Sequence, residues 1–168
     1  MRKWALSLGC MIALLLTGCG GAATPSKPIT ETFSCRFSAT CGELAFGGTM
    51  QRAAAGMLTV KLLDPPALDG LTLSWDGQQA TVTLGLLKYT MDSELPQAAS
   101  MKLTLDVLDA LFRDKVTGTK TEDGALFIGE VNGLEYHMLT DASSGTLLLL
   151  EIPDIAFSLQ FSEFRKGV

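Results

Sequence analysis

Leu71-Thr72-Leu73-Ser74-Trp75-Asp76-Gly77-Gln78-Gln79-Ala80-Thr81-Val82-Thr83-Leu84 alternates apolar and polar side chains on both sides of an Asp-Gly pair. Period-two alternation puts Leu71, Leu73 and Trp75 on one face of a strand, with Thr72 and Ser74 on the other. Asp76-Gly77 supplies the positive φ of a tight hairpin, and the return strand brings Ala80, Val82 and Leu84 to the matching face. One face of this hairpin is therefore made to be buried and the other to meet solvent.

The same pattern extends in both directions. Upstream, Phe33 to Cys41 alternates, a second strand runs from Leu44 to Arg52 after the Gly42 turn, and Ala53-Ala54-Ala55-Gly56 reverses the chain into Leu58 to Leu62. Asp64-Pro65-Pro66 stops that strand. Downstream, Leu86 to Met91 reads as a strand of ambiguous facing. Asp123-Gly124 and Asn132-Gly133 then bracket two strands, Ala125 to Val131 and Leu134 to Thr140. Leu147 to Ile152 is apolar on both faces, as a central or helix-covered strand would be. The last strand alternates from Ile155 through Phe157, Leu159 and Phe161.

A single helix is expected, from about Gln97 to Phe112 after Pro96. Met101, Leu105, Leu108 and Phe112 make one apolar stripe, with Lys102, Asp106, Asp109 and Arg113 mostly elsewhere. Such a helix must lie on something apolar, and a meander offers the concave face of its sheet. The fold class is mainly β (α+β): an antiparallel meander with one helix packed in its concave face.

The first residues set the location. Arg2 and Lys3 precede an apolar run from Trp4 to Leu16, too short to span a bilayer. Leu16-Thr17-Gly18-Cys19 resembles a bacterial lipobox, which implies cleavage before Cys19 and acylation of that residue. The chain then divides into a lipoprotein signal peptide (1–18), a lipidated flexible tether (19–30) and a folded β domain (31–168). The expected modification is a diacylglycerol on Cys19 with a further N-acyl chain such as palmitate, and no other cofactor. Two or more acyl chains anchor durably. The expected location is the extracytoplasmic face of a bacterial membrane.

Cleavage there leaves 150 of 168 residues, enough for one domain with its own core. Arg2 and Lys3 leave with the signal, so 11 of 13 basic side chains remain against 18 acidic ones. No cluster of Lys and Arg survives, which argues against nucleic acid and against electrostatic adhesion to anionic lipid. Beyond Cys10 and Cys19, the cysteines are Cys35 and Cys41. Six residues along one strand span about 20 Å, whereas a disulfide needs Cα atoms roughly 4.4–6.8 Å apart. Two buried free thiols are expected if the strand is continuous, and a disulfide if it bends near Cys41.

Catalysis is not expected. The single histidine, His137, lies opposite Tyr136 and Met138 in phase and faces outward; no second histidine exists to bind a metal with it, and no metal site is expected. Asp106 with Asp109, and Glu122 with Asp123, are the carboxylate pairs a hydrolase would need about 5–9.5 Å apart. Both read as solvated surface. No glycine-rich loop leads into a helix with a phosphate-binding pattern.

The order of elements resembles the LolA/LolB-like lipoprotein-carrier superfamily over residues 31–165, which implies for the domain at 31–168 an antiparallel meander curved into an unclosed half-barrel, with one helix packed in its concave face. The resembling residues are the run Leu62-Leu63-Asp64-Pro65-Pro66-Ala67-Leu68-Asp69-Gly70-Leu71, then Trp75-Asp76-Gly77, Leu95-Pro96 before the helix, and Tyr136 followed by Asp141 to Gly145. Members usually place an amphipathic helix ahead of the first strand, for which the tether leaves no room, and no arginine here is matched to a carrier's functional one. The resemblance implies a non-catalytic groove taking an apolar ligand or an acylated protein. Inner-face residues expected to line it are Phe33, Phe37, Trp75, Val82, Met101, Leu105, Leu108, Phe157 and Phe161. The alternative is a module without a ligand groove that holds or activates an extracytoplasmic protein partner of the envelope or cell wall, in sporulation or germination for instance.

Overall fold

The computed structural model of the protein describes residues 25–92, 100–114 and 116–167. The expected signal segment, the expected acylation site Cys19 and the expected helix start at Pro96-Gln97 lie outside them. Eleven strands form one antiparallel sheet: β1 (Phe33–Cys41), β2 (Leu44–Ala54), β3 (Met57–Asp64), β4 (Thr72–Asp76), β5 (Gln79–Leu84), β6 (Leu87–Asp92), β7 (Thr119–Lys120), β8 (Ala125–Val131), β9 (Leu134–Thr140), β10 (Leu147–Ile152) and β11 (Phe157–Lys166). The single helix among the described residues, α1, spans Ser100–Arg113.

The sheet order is β6-β5-β4-β3-β2-β1-β11-β10-β9-β8-β7. The chain builds one half outward from β1, leaves it at β6, passes through α1 and returns at β7 to build the other half back to β11. The first and last long strands pair in the middle, Phe37 opposite Phe161 and Cys41 opposite Phe157. The outer edges, β6 and β7, do not meet, so the sheet stays open as the resemblance implied, and α1 packs against β3 in one half and β8 in the other.

Each hairpin signal falls on a turn with positive φ, including Gly77 and the Asn132-Gly133 pair. One irregularity matters for the core. Glu163 takes φ +47° in β11, and the register with β1 slips between Ser34 and Arg36. That extra residue shifts the alternation, so Phe164 reaches the inner face and stacks on Phe33 with ring centroids 4.8 Å apart.

Close strand approach explains one glycine. A Cβ on Gly48 would sit 2.0 Å from the Lys61 carbonyl oxygen on β3, so only glycine lets β2 and β3 pair there.

The helix lies deeper than a one-sided stripe requires. Met101, Leu103, Thr104, Leu105, Val107, Leu108, Ala110 and Leu111 are all buried, leaving Lys102, Asp106 and Asp109 as the partly open face. Phe112, expected in the buried stripe, is 36% exposed, with the Lys27 ammonium 5.7 Å from its ring centroid. Leu111 takes its place because the hollow wraps more of the helix's circumference than a flat sheet would.

Candidate functional site

The nine residues expected to line a groove are brought together on the inner face. Phe33, Phe37, Trp75, Met101, Leu105, Leu108, Phe157 and Phe161 are each no more than 7% exposed and belong to one hydrophobic core; Val82 is half-buried at its margin. They form the packed seam between α1 and the sheet.

The inner face is uncovered elsewhere. Along β5 and β6, Leu84 pairs with Leu87 and Val82 with Tyr89. Leu84, Leu87 and Tyr89 share the phase of buried Ala80, yet they are 42%, 74% and 66% exposed, and Leu86 at the hairpin tip is wholly exposed. The half-barrel therefore ends in an apolar lip that meets the core at Leu73, which packs against it and pairs with Val82. Contiguous exposed apolar surface of this kind marks binding sites.

Beside the seam is a buried ion pair. Arg52 is fully buried; its Nε donates to the Thr30 carbonyl oxygen at 2.5 Å and its Nη2 to Asp109 Oδ1 at 2.5 Å. The Gly56 amide donates to the same Oδ1 at 3.0 Å. One guanidinium thus ties β2 to the helix and to the incoming chain. Arg52 Nη1 has no hydrogen-bond partner among the described residues. Asp106 accepts from Lys102 and, at 3.0 Å, from Asn132 in the β8–β9 turn. The expectation that Asp106 and Asp109 are solvated surface is thereby corrected: each side chain is only 19% exposed and spends its charge holding the helix in the hollow. A signal for Arg52 was present. It falls in the inward phase of β2 with Gly48 and Met50, where an arginine requires a partner.

The chain reaches β1 along the turn between β9 and β10. Ser26 and Ile29 donate backbone N–H groups to Ala142 and Gly145, and Pro28 and Thr30 are buried. Residues 25–30, read from sequence as tether, are therefore held on the domain. Asp141 organises that turn, accepting from the amides and hydroxyls of Ser143 and Ser144 at 2.6–3.1 Å. The Ser143 hydroxyl and Ser144 amide lead in holding its carboxyl well below the usual carboxylate range.

β1 is continuous, and Cys35 and Cys41 are free thiols; Cys35 is buried and Cys41 half-buried. Burial pushes the Cys35 thiol up to about 12. Its stabilising contribution is complete below pH 9 and is lost as pH rises toward 12, because the unfolded thiol ionises first. The expected slope is about 1.4 kcal/mol per pH unit. Denaturant titrations from pH 8 to 11 should show that slope, and Cys35→Val should flatten it; an equal slope in both would contradict the burial. His137 faces outward as expected, its Nε2 2.8 Å from Glu135 Oε1. Among the described residues no three His, Cys, Asp or Glu side chains are grouped to hold a metal ion.

These features define a class by geometry: an open antiparallel half-barrel whose hollow holds one helix and whose edge is an apolar lip. No protein-family model and no curated protein matches the chain. Among solved structures it is similar to an uncharacterized conserved protein from Thermus thermophilus, with TM-score 0.51 and 12% identity, over 83% of this chain and 80% of that one. It is also similar to a LolA superfamily protein from Nitrosomonas europaea, with TM-score 0.43 and 11% identity, over 83% and 87%. At such identities the likeness concerns fold alone.

Proposed function

We propose that the chain is a lipid-anchored, extracytoplasmic, non-catalytic protein of the LolA/LolB-like half-barrel class. Acylated on Cys19, it binds an apolar ligand or the acyl chain of another protein at the lip formed by β4–β6. The observation supporting this reading is the exposure of Leu84, Leu87 and Tyr89 on the face that carries Trp75 and Ala80 into the core. Covering apolar side chains of this size contributes roughly 1.5–3 kcal/mol each when complete, so an acyl chain laid along the lip gains several kcal/mol without disturbing the packed seam. Deeper entry along Trp75 and Leu105 requires α1 to shift, and the Arg52–Asp109 pair opposes that shift.

An apolar fluorescent dye titrated into the full chain in neutral detergent tests the lip. Saturable binding is expected, weakened at least tenfold by Leu87→Asp, a change at an exposed edge-strand position that leaves the melting temperature within a few degrees. Equal binding by both proteins would exclude the lip as the site.

The second reading, a module that holds a protein partner without a ligand groove, draws on a different observation: eight of the nine expected groove residues are sealed in the core. Crosslinking in membranes separates the two. A stoichiometric protein partner insensitive to Leu87→Asp favours the second.

A further inference from the structure

The outer face of the sheet carries a charge pattern that the linear sequence conceals. Across strands β1 to β6, one outward row reads Arg36, Thr49, Lys61, Thr72, Thr83 and Lys88, each directly opposite the next. The adjacent row begins with Arg165 opposite Ser34, passes through Gln51 and continues in hydroxyl residues to Thr90. None of these side chains is buried, and no carboxylate occurs in either row. Four cations on a carpet of serine and threonine thus form one face of a chain whose net charge is −5. The cations lie far apart in sequence and meet only through strand register, which overturns the expectation that no basic cluster exists.

Three of them converge. Arg36, Lys61 and Arg165 line a cleft of about 520 Å³ together with hydroxyls of both rows. Strands lie about 4.8 Å apart, so Arg36 and Lys61, two strands from each other, have Cα atoms roughly 10 Å apart, within reach of one tetrahedral anion for side chains of this length. Lys88, three strands further, adds field and no direct contact. Glu163 enters the cleft from the β11 bulge, its Oε1 3.6 Å from Arg36 Nη1, and offsets one charge; both side chains are more than half exposed. Two guanidinium forks, an ammonium and surrounding hydroxyls match a phosphate carried on a polyol.

We propose that this cleft binds the phosphate of an anionic phospholipid headgroup of the phosphatidylglycerol type. The choice of a bilayer as its source rests on the anchor at Cys19. Five residues lie between Cys19 and Pro25, where the described chain begins, a span of at most about 20 Å. Arg165 and Ser34 lie at the end of the sheet where the chain enters β1, beside the Gly167–Thr32 hydrogen bond. Ser26 is held on Ala142 in the β9–β10 turn at that same end of the sheet, so the anchored chain keeps this end of the cleft within reach of the bilayer, where its cations meet anionic headgroups.

Calorimetric titration of the full chain in neutral detergent tests the site with three probes: dihexanoyl phosphatidylglycerol, dihexanoyl phosphatidylcholine and inorganic phosphate. Saturable binding of phosphatidylglycerol is expected, with phosphatidylcholine silent and inorganic phosphate at least tenfold weaker. Higher salt should weaken the binding, as screening of exposed charges requires. Arg36→Gln with Lys61→Gln should reduce it at least tenfold at unchanged melting temperature, and Glu163→Gln should tighten it. Phosphatidylglycerol binding that survives the double substitution would overturn the site; inorganic phosphate binding as tightly as the lipid would overturn the headgroup assignment. Mass analysis of the N-terminal peptide reports the anchor independently: an unacylated Cys19 with headgroup binding intact would remove the anchor and keep the cleft.

Discussion

Replacing Asp109 with alanine is expected to cost about 3–5 kcal/mol of folding stability, because it leaves the fully buried Arg52 guanidinium charged and without its counter-ion. The Gly56 amide would lose its acceptor as well. Equilibrium denaturant unfolding measures the loss. The double replacement Arg52→Met with Asp109→Leu should recover most of it, since a buried pair exchanged for apolar side chains of similar volume is often neutral or better. A cost below about 1 kcal/mol for Asp109→Ala, the range of solvated pairs, would mean that this pair does not pin the helix.

Leu108→Ala is the second large effect. Leu108 is fully buried at the middle of α1 and belongs to the same core as Phe33 and Phe157. Truncating a leucine in a packed seam costs about 2–5 kcal/mol, the upper part of the range applying where the surroundings cannot collapse. Helix and sheet are both held in place, the sheet by its ladders and the helix by Arg52 and Asn132. The expected loss therefore lies at the high end, read from the midpoint of urea unfolding. A loss of only about 1 kcal/mol would show that space already exists beneath the helix, as an open interior groove requires.

The meander was legible because its strands carry their own punctuation. Asp76-Gly77, Asp123-Gly124 and Asn132-Gly133 fix three turns, and the alternation beside them fixes which face is buried. The helix in the hollow followed from its own apolar stripe, and the open edges from the resemblance in the order of elements. Contacts between residues distant in sequence were not legible. The pairing of β1 with β11 is set by no local signal, and the bulge at Glu163 that turns Phe164 inward is visible only in register. The residues expected to line a groove lie on the inner face, but sequence could not show that α1 sinks far enough to seal most of them. The uncovered lip fell instead on β6, whose facing had no clear alternation. Asp109 read as surface because its polar neighbours, Lys102 and Asp106, lie on the same helix face, and its partner is 57 residues away. The basic outer face was hidden for a similar reason: Arg36, Lys61, Lys88 and Arg165 become neighbours only once the strands between them have paired.

Together these features divide the molecule's surfaces by chemistry. The inner face carries the core and the apolar lip, the outer face carries cations among hydroxyls, and the ion pair at Arg52 holds the helix between the two halves of the sheet. Native mass spectrometry of the full chain released from membranes in mild detergent tests ligand binding most directly. An apolar adduct, a lipid or an acylated polypeptide, is expected at one per chain and should be lost with Leu87→Asp. A bare chain mass under conditions that preserve such adducts on a known lipid-binding protein would contradict ligand binding at the lip.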